Sequence, residues 1–218
     1  MRLGQHFLVE RRWVSELVSL IDQNVRPLVE VGGGKGELTR ASNPDAVIEL
    51  DASLVQYLKE FNVVLADARA TPVRARQVLS SLPYYITYDF LEQISLDNYV
   101  ERAVLVLQKD VVDKLLDYPT YISFLVNLAF GVLPASVIPP SAFRPKPRVY
   151  SQIVVLERRR VISEGVYEFL KCVSRYRNKA LKNAARMCGK EATSEKKVRE
   201  YAPRQVSELL SAAGFATT

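Results

Sequence analysis

Val29-Glu30-Val31-Gly32-Gly33-Gly34-Lys35-Gly36-Glu37-Leu38-Thr39 is the stretch on which the reading of this chain turns. An apolar run ends in closely spaced glycines, and an amphipathic segment follows. Glycines at the end of a strand let the backbone approach a ligand with no Cβ in the way. In open α/β sheets the ligand lies at the carboxyl ends of the strands, where the topology changes direction. The spacing Gly32-x-Gly34-x-Gly36 lacks the ending of a phosphate loop, since Lys35 is followed by Gly36 and Glu37. A plain glycine-rich turn is the alternative, and the residues further along weigh against it.

The next apolar run, Ala46–Leu50, ends in Glu49-Leu50-Asp51, and Glu49 stands 17 positions after Gly32. That is near the place where an acid accepts ribose hydroxyls. The third run, Val63–Ala66, ends in Ala66-Asp67-Ala68, where a carboxylate can accept from an adenine amino group. Any one acid at a strand end is easily a solvated side chain. Three such features in order around one crevice point to a nucleoside-containing cofactor. An NAD enzyme shares part of this pattern, and the fourth run separates the two.

Further runs occur at Val78–Leu82, Ala103–Leu107, Val132–Ile138 and Ile153–Leu156. Amphipathic stretches lie between most of them, at Trp13–Ile21, Ser53–Phe61, Asp89–Ile94 and Lys109–Leu116. Strands apolar on both faces and separated by helices predict a parallel sheet covered on both sides, a doubly wound α/β domain. The last two runs are joined only by the Pro-rich link Pro139–Pro147, too short for a helical crossover, so an antiparallel edge hairpin is expected. From Val161 onward the pattern is helical only, including Glu164–Met187 and Pro203–Ala213. The domains expected are residues 1–157 and a small all-α domain at 158–218.

Composition narrows the chemistry. In 218 residues there is one histidine, His6, which argues against a histidine metal cluster or a Ser/His/Asp triad. No metal is expected. Cys172 and Cys188 are the only cysteines, and MRLGQHFLVE has no apolar signal core, so a cytoplasmic protein with free thiols is expected. Tyr118–Phe143 carries no charge but is broken by Pro119, Asn127, Gly131, Pro134 and Pro139-Pro140. A buried helix followed by a buried strand fits it better than a membrane span. Net charge is +6, and Glu157–Arg204 holds 14 Lys/Arg against 6 Asp/Glu, so the basic character is concentrated near the end. Arg158, Arg159 and Arg160 leave the last strand, and Arg175, Arg177, Lys179 and Lys182 follow on an expected helix. Such cations either track phosphates or form a solvated helix face.

Ser80-Ser81-Leu82-Pro83-Tyr84-Tyr85-Ile86-Thr87 follows the fourth run, and here the chain resembles the rRNA adenine N6-dimethyltransferase family, in particular its small-subunit branch. The resemblance runs nearly end to end. Gly4–Leu8 is similar to GQNFL, the glycine stretch to EIGPGKGxLT, Val47–Asp51 to IELD, and Ser81–Tyr84 to NLPY. Leu107–Val111 resembles FQKEV, Phe143–Ser151 resembles FxPxPKVDS, and Arg177–Asn183 resembles RRKTLRN. The resemblance implies a Rossmann-like class I methyltransferase fold with a mostly parallel seven-stranded sheet, and S-adenosylmethionine as cofactor. By resemblance Gln5, His6, Leu8, Gly32, Gly34, Glu49, Leu50, Asp67, Ala68 and Ser81 hold the cofactor. Ser81, Leu82 (through its carbonyl), Pro83, Tyr84 and Phe143 form the catalytic group, with Tyr84 and Phe143 stacking on the target base. Arg144, Lys146, Arg148, Arg175, Arg177, Lys179 and Lys182 are assigned to RNA.

The chemistry is consistent with these residue types. Adenine N6 is a poor nucleophile because its lone pair is conjugated into the ring, whereas a sulfonium methyl is already a strong electrophile. The protein must supply in-line positioning and acceptors for the amino hydrogens. The base must leave its helix or loop and be held by aromatic faces. Two departures from the family stand out: Ser81 replaces Asn, with a shorter side chain, and His6 replaces Asn in the opening motif. The implied reaction is dimethylation of two adjacent adenosines near the 3′ end of small-subunit rRNA, on RNA or an assembling subunit. Replacing Glu49 by alanine is expected to abolish cofactor binding and spare the fold. A monomer is expected, and the end at Thr218 leaves little room for further RNA-binding structure. Rival readings are a large-subunit dimethylase of the antibiotic-resistance type, an assembly factor that has lost catalysis, and a DNA adenine methylase.

Overall fold

The computed structural model describes residues 5–70 and 73–216. Gly4, first residue of the opening motif, lies outside them. By backbone contacts the described chain forms two units, one of residues 1–109 and 133–157, the other of 110–132 and 158–218.

The first unit is built on a seven-stranded sheet. Its strands are β2 (Leu28–Val31), β3 (Ala46–Glu49), β4 (Val63–Leu65), β5 (Gln77–Ser81), β6 (Arg102–Gln108), β7 (Phe130–Ile138) and β9 (Ser151–Arg158), in the order β4-β3-β2-β5-β6-β9-β7. A separate two-stranded pair joins β1 (Phe7–Leu8) to β8 (Phe143–Arg144). β2 pairs in parallel with β3 on one side and β5 on the other, so the order reverses at β2. β6 continues parallel to β5, and β9 runs antiparallel to β6, from Arg102 opposite Glu157 to Gln108 opposite Ser151. The expected edge arrangement is present, with β7 outermost. Being outermost, β7 is only half covered: Leu133 and Val137 are exposed, where sequence alone reads a buried strand.

Both faces of the sheet are covered, which explains why the central residues of β2, β5 and β6 are mostly apolar, Glu30 excepted. Helix α1 (Arg11–Ser19) buries Trp13, Val14 and Leu17 on one stripe. They pack with Leu28, Leu79, Val104, Val106 and Val155. Burying a side chain such as Leu17 stabilises by roughly 1.5–3 kcal/mol. The opposite face takes α3 (Thr87–Leu96), whose Phe90 and Ile94 border an apolar cavity with Val29, Val31, Ile48 and Val78. Gln77, fully buried at the start of β5, is satisfied by Asp22 N (3.0 Å), Asp22 O (2.8 Å) and Val25 O (3.2 Å).

Between β3 and β4 the amphipathic stretch Ser53–Phe61 forms a single 3₁₀ turn, Val55–Tyr57, and not the expected helix. Only Leu54 and Leu58 of this stretch are buried, and one turn is enough to bury both. Asp51 shapes the entry, accepting from the Ser53 amide (2.9 Å) and hydroxyl (2.6 Å).

In the second unit, α4 (Lys109–Asp117) precedes α5 (Tyr121–Ala129), and α6 (Glu164–Val173), α7 (Leu181–Met187) and α8 (Val206–Ala212) follow. Helix α5 starts with a capping box of Thr120 and Ser123, is buried over most of its length, and packs on α6 and α8. That packing is why residues 110–132 group with the C-terminal helices. No helix among the described residues is long and apolar enough to cross a membrane.

The stretch Glu164–Met187 is not one helix. After α6 the chain makes a 3₁₀ turn at Ser174–Tyr176 and a bend through residue 180 before α7 begins. The break is fixed by pairing with a later segment: Leu181 N donates to Lys196 O (2.9 Å), and Val198 N to Lys179 O (3.1 Å). The expected free thiols are also corrected. Cys172 and Cys188 form a disulfide with Cα atoms 5.9 Å apart, tying α6 to the end of α7.

Candidate active site

The carboxyl ends of β2, β3 and β5 border a crevice of about 750 Å³. β2 contributes Glu30 and the glycine turn, β3 contributes Glu49, and β5 leads into Ser81-Leu82-Pro83-Tyr84. The N-terminal arm lies along the same crevice with Gln5, His6 and Leu8, and Phe143 closes it from β8. A second hollow of about 430 Å³ shares Gln5, Gly32, Glu49 and Pro83 with the first, and adds Leu50, Asp67, Ala68 and Tyr85. Every residue that sequence assigns to cofactor or base thus borders one of two adjoining hollows.

Local structure explains the glycine turn. A Cβ on Gly33 would sit 2.5 Å from Val47 Cγ1 and 2.9 Å from Leu58 Cδ1, so the turn packs directly on β3 and on Leu58. Gly34 has φ +56°, and a Cβ there would meet the Phe7 ring at 3.0 Å. Any side chain at Gly34 therefore takes both a left-handed penalty and a collision with the arm.

Glu49 is 4 % exposed, and its carboxylate clamps the site. Oε2 accepts from the Gly34 amide (2.8 Å) and Oε1 from the Asp51 amide (2.8 Å). Each oxygen keeps a lone pair that an incoming hydroxyl can use. Asp67 is also engaged: Arg69 grips it through Nη2 (2.6 Å) and Nε (3.0 Å), and the Arg69 amide donates at 2.9 Å. These bonds from Arg69 hold the Asp67 carboxyl below its ordinary range.

The base-side residues are positioned by the arm and by β9. Phe143 is 1 % exposed and belongs to the core cluster with Trp13, Ile138 and Ile153, yet borders the crevice. It is both core plug and crevice wall. β1 pairs antiparallel with β8, Leu8 opposite Phe143, so the arm is hydrogen-bonded to the strand that carries this wall. His6 Nδ1 donates to the Pro145 carbonyl (2.7 Å), and its ring lies 5.5 Å from that of Tyr84. The Tyr84 hydroxyl shares a hydrogen bond with the fully buried Ser151 Oγ (3.0 Å), and burial pushes its phenol above the ordinary value.

Sequence pattern left Glu30, Glu37 and Leu38 without a role, but all three border the crevice. The signal for Glu30 is an acid inside an otherwise apolar strand. It is 1 % exposed, and burial, opposed by a side-chain hydrogen bond from Thr39, pushes its carboxyl up to about 8.

The cations assigned to RNA fall in two places. In the first unit Arg144, Lys146 and Arg148 are exposed, and Arg144 Nη1 donates to Ser141 O (3.0 Å) and Phe143 O (2.9 Å). In the second unit Arg175 and Arg177 line an open hollow of about 580 Å³ with Lys171 and Tyr121. Lys179 is exposed in the bend, and Lys182 is paired with Glu195. They are carried by a broken segment, not by one helical face.

The model of the ribosomal RNA adenine dimethylase family matches residues 1–202. A probable ribosomal RNA small subunit methyltransferase A of Pyrobaculum islandicum is 30 % identical over 95 % of this chain and 93 % of its own length. That of Aeropyrum pernix is 31 % identical over 73 % of this chain, a match spanning 65 % of the relative, just under two thirds. Among solved structures, a dimethyladenosine transferase from Plasmodium falciparum superposes with TM-score 0.75 at 17 % identity, over 94 % of this chain and 96 % of that one. The 23S rRNA methyltransferase ErmE gives TM-score 0.71 at 20 % identity, over 96 % and 100 %. At such identities the two structures speak for the fold.

Proposed function

Because the chain belongs to the ribosomal RNA adenine dimethylase family, we propose that it dimethylates N6 of two adjacent adenosines near the 3′ end of small-subunit rRNA, with S-adenosylmethionine as methyl donor. The observation that carries the reading is the meeting of three strand ends at one crevice: the Gly32–Gly34 turn, the clamped Glu49 and the Ser81–Tyr84 turn. The names of the similar curated proteins favour the small-subunit substrate over the large-subunit one.

The residues fit the cofactor. A buried carboxylate with spare lone pairs suits ribose hydroxyls, and the neighbouring hollow with Leu50, Asp67 and Ala68 suits an adenine. Gln5, His6, Leu8, Gly32 and Gly34 would line the rest. When bound, the cofactor supplies an electrophilic methyl on a sulfonium, so no metal or covalent nucleophile is required of the protein.

The chain's own residues do the remainder. Ser81 Oγ and the Leu82 carbonyl accept the two hydrogens of the adenine amino group, drawing its lone pair out of conjugation. Pro83 fixes the turn that aims both acceptors. Tyr84 and Phe143 hold the extruded base on their faces, with Ser151 and His6 keeping the Tyr84 ring in place. After transfer the amino proton leaves to solvent. The cations Arg144, Lys146, Arg148, Arg175, Arg177, Lys179 and Lys182 contact phosphates, a salt-sensitive and sequence-independent contribution. The reading is of a monomer acting in the cytoplasm on RNA or an assembling subunit.

The test is incubation with labelled S-adenosylmethionine and three acceptors: unmethylated small subunits, unmethylated large subunits and double-stranded DNA. N6,N6-dimethyladenosine from small subunits alone is the expected product. Label in large subunits or DNA would reassign the substrate. Subunit binding without transfer would favour an assembly factor, with Ser81→Asn as the variant that asks whether one side chain is responsible.

A further inference from the structure

We propose, resting on the methylation reading above, that Tyr150 is a stacking platform for the nucleotide next to the target adenosine. Tyr150 immediately precedes β9, which runs antiparallel to β6 with Ser151 opposite Gln108. That pairing sets the start of β9 at the carboxyl end of β6, a strand parallel to β5. It is the end of the sheet at which the crevice opens. The backbone there is pinned, since Lys109 N donates to Tyr150 O (2.9 Å). Ser151 is fully buried and holds the Tyr84 hydroxyl (3.0 Å), whereas Tyr150 is 56 % exposed. Consecutive residues of an extended chain face opposite ways. One side chain therefore anchors the base site, and the one before it stands outside.

Charge favours this side of the crevice for an RNA strand. Arg144, Lys146 and Arg148 are all exposed, and no Asp or Glu occurs from residue 118 to residue 156. Tyr150 itself stands where the FxPxPKVDS pattern has Asp, so an aromatic ring replaces the one acid of that segment. Elsewhere the crevice is lined by acids, Glu37 from α2 (Glu37–Ser42) and Glu49 from β3. A phosphate chain that delivers its base is repelled there and attracted to residues 144–148. Cations beside an exposed ring are what single-stranded nucleic acid requires: charge follows the backbone, and the ring takes the face of a base.

Extruding a base breaks its stacking and leaves the neighbour with an uncovered face. With two adjacent adenosines as substrate, whichever enters the crevice makes the other that neighbour. A ring one residue away from the anchor of Tyr84 is placed to cover it. The contact adds to substrate binding and does not touch the transferred methyl, so its loss belongs in KM and not in kcat.

The test is steady-state methylation of unmethylated small subunits by the parent, Tyr150→Phe and Tyr150→Ala. Tyr150→Ala is expected to raise KM for subunits about tenfold, with kcat and S-adenosylmethionine affinity unchanged. Tyr150→Phe keeps the ring and should behave as the parent. A second set of subunits carries uridine in place of one or the other adenosine, so that a single target remains. Uridine offers a smaller face, so on one side this change should raise KM for the parent and leave Tyr150→Ala nearly unaffected. That side identifies the stacked neighbour. An unchanged KM in Tyr150→Ala would overturn the proposal. So would a KM penalty that persists in full whichever neighbour is replaced, since Tyr150 would then rest on a ribosomal protein or on RNA elsewhere. A parent that methylates no acceptor at all would instead overturn the reading of the crevice.

Discussion

Glu49 ties the cofactor site to the fold, and its replacement should disturb both. Its two oxygens accept from the Gly34 and Asp51 amides, each at 2.8 Å, in a side chain 4 % exposed. In Glu49→Gln one end of the side chain becomes an NH₂ group. Whichever way that amide turns, one backbone N–H then faces a donor. A buried donor left without an acceptor costs about 1–3 kcal/mol, and the surviving bond loses its charge assistance. A total of about 2–3 kcal/mol corresponds to a drop of roughly 4–12 °C in Tm for a chain of this size. Glu49→Ala forfeits both bonds and should fall at least as far, which revises the expectation from sequence that the fold is spared. Cofactor affinity should fall in both variants, and less in Glu49→Gln, which keeps one oxygen for the ribose. Thermal unfolding with and without S-adenosylmethionine, followed by calorimetric binding, measures both quantities. If Glu49→Ala unfolded within about 1 °C of the parent, the clamp would carry no weight. If it bound cofactor like the parent, the ribose assignment would be wrong.

Other substitutions separate the remaining roles. Ser151→Ala removes the partner of the Tyr84 hydroxyl, and a loss of about 1 kcal/mol should lower kcat/KM some fivefold without changing cofactor affinity. An equal loss of cofactor affinity would mean that the bond serves the fold in general. Leu17→Ala empties a fully buried site against the sheet and should cost about 2–5 kcal/mol by chemical denaturation, with activity retained in the folded fraction. Cys172→Ser opens a link across 16 residues and should lower stability by about 3 kcal/mol, while thiol titration of the denatured, unreduced parent should find no free thiol. Glu30 has a folded-state value near 8, above its unfolded value of 4.5, so it contributes stability below pH 4.5 that is lost as pH rises toward 8. Parent stability should therefore decline relative to Glu30→Gln across that window, and a constant difference between them would contradict it.

The sheet was legible because its strands are apolar on both faces and end in residues with a purpose: glycines after β2, an acid at β3, and Ser81-Leu82-Pro83-Tyr84 after β5. What sequence misjudged depends on tertiary contacts. Ser53–Phe61 has a helical stripe, but only Leu54 and Leu58 find cover, and one turn suffices. Glu164–Met187 has helical spacing, yet pairing of residues 179–182 with 194–198 breaks it. Two cysteines 16 apart do not announce whether they meet, and here they do. Glu30 was hidden for the opposite reason. Inside a glycine motif it looks like part of the pattern, and only its burial beside the crevice sets it apart.

The most direct measurement is a nucleoside count on small-subunit rRNA from cells of the source organism lacking this gene, compared with cells given back the parent gene or its Tyr84→Ala form. The expected result is loss of N6,N6-dimethyladenosine, its return with the parent, and no return with Tyr84→Ala. An undiminished N6,N6-dimethyladenosine content in cells without the gene would contradict the assignment of this crevice to that reaction.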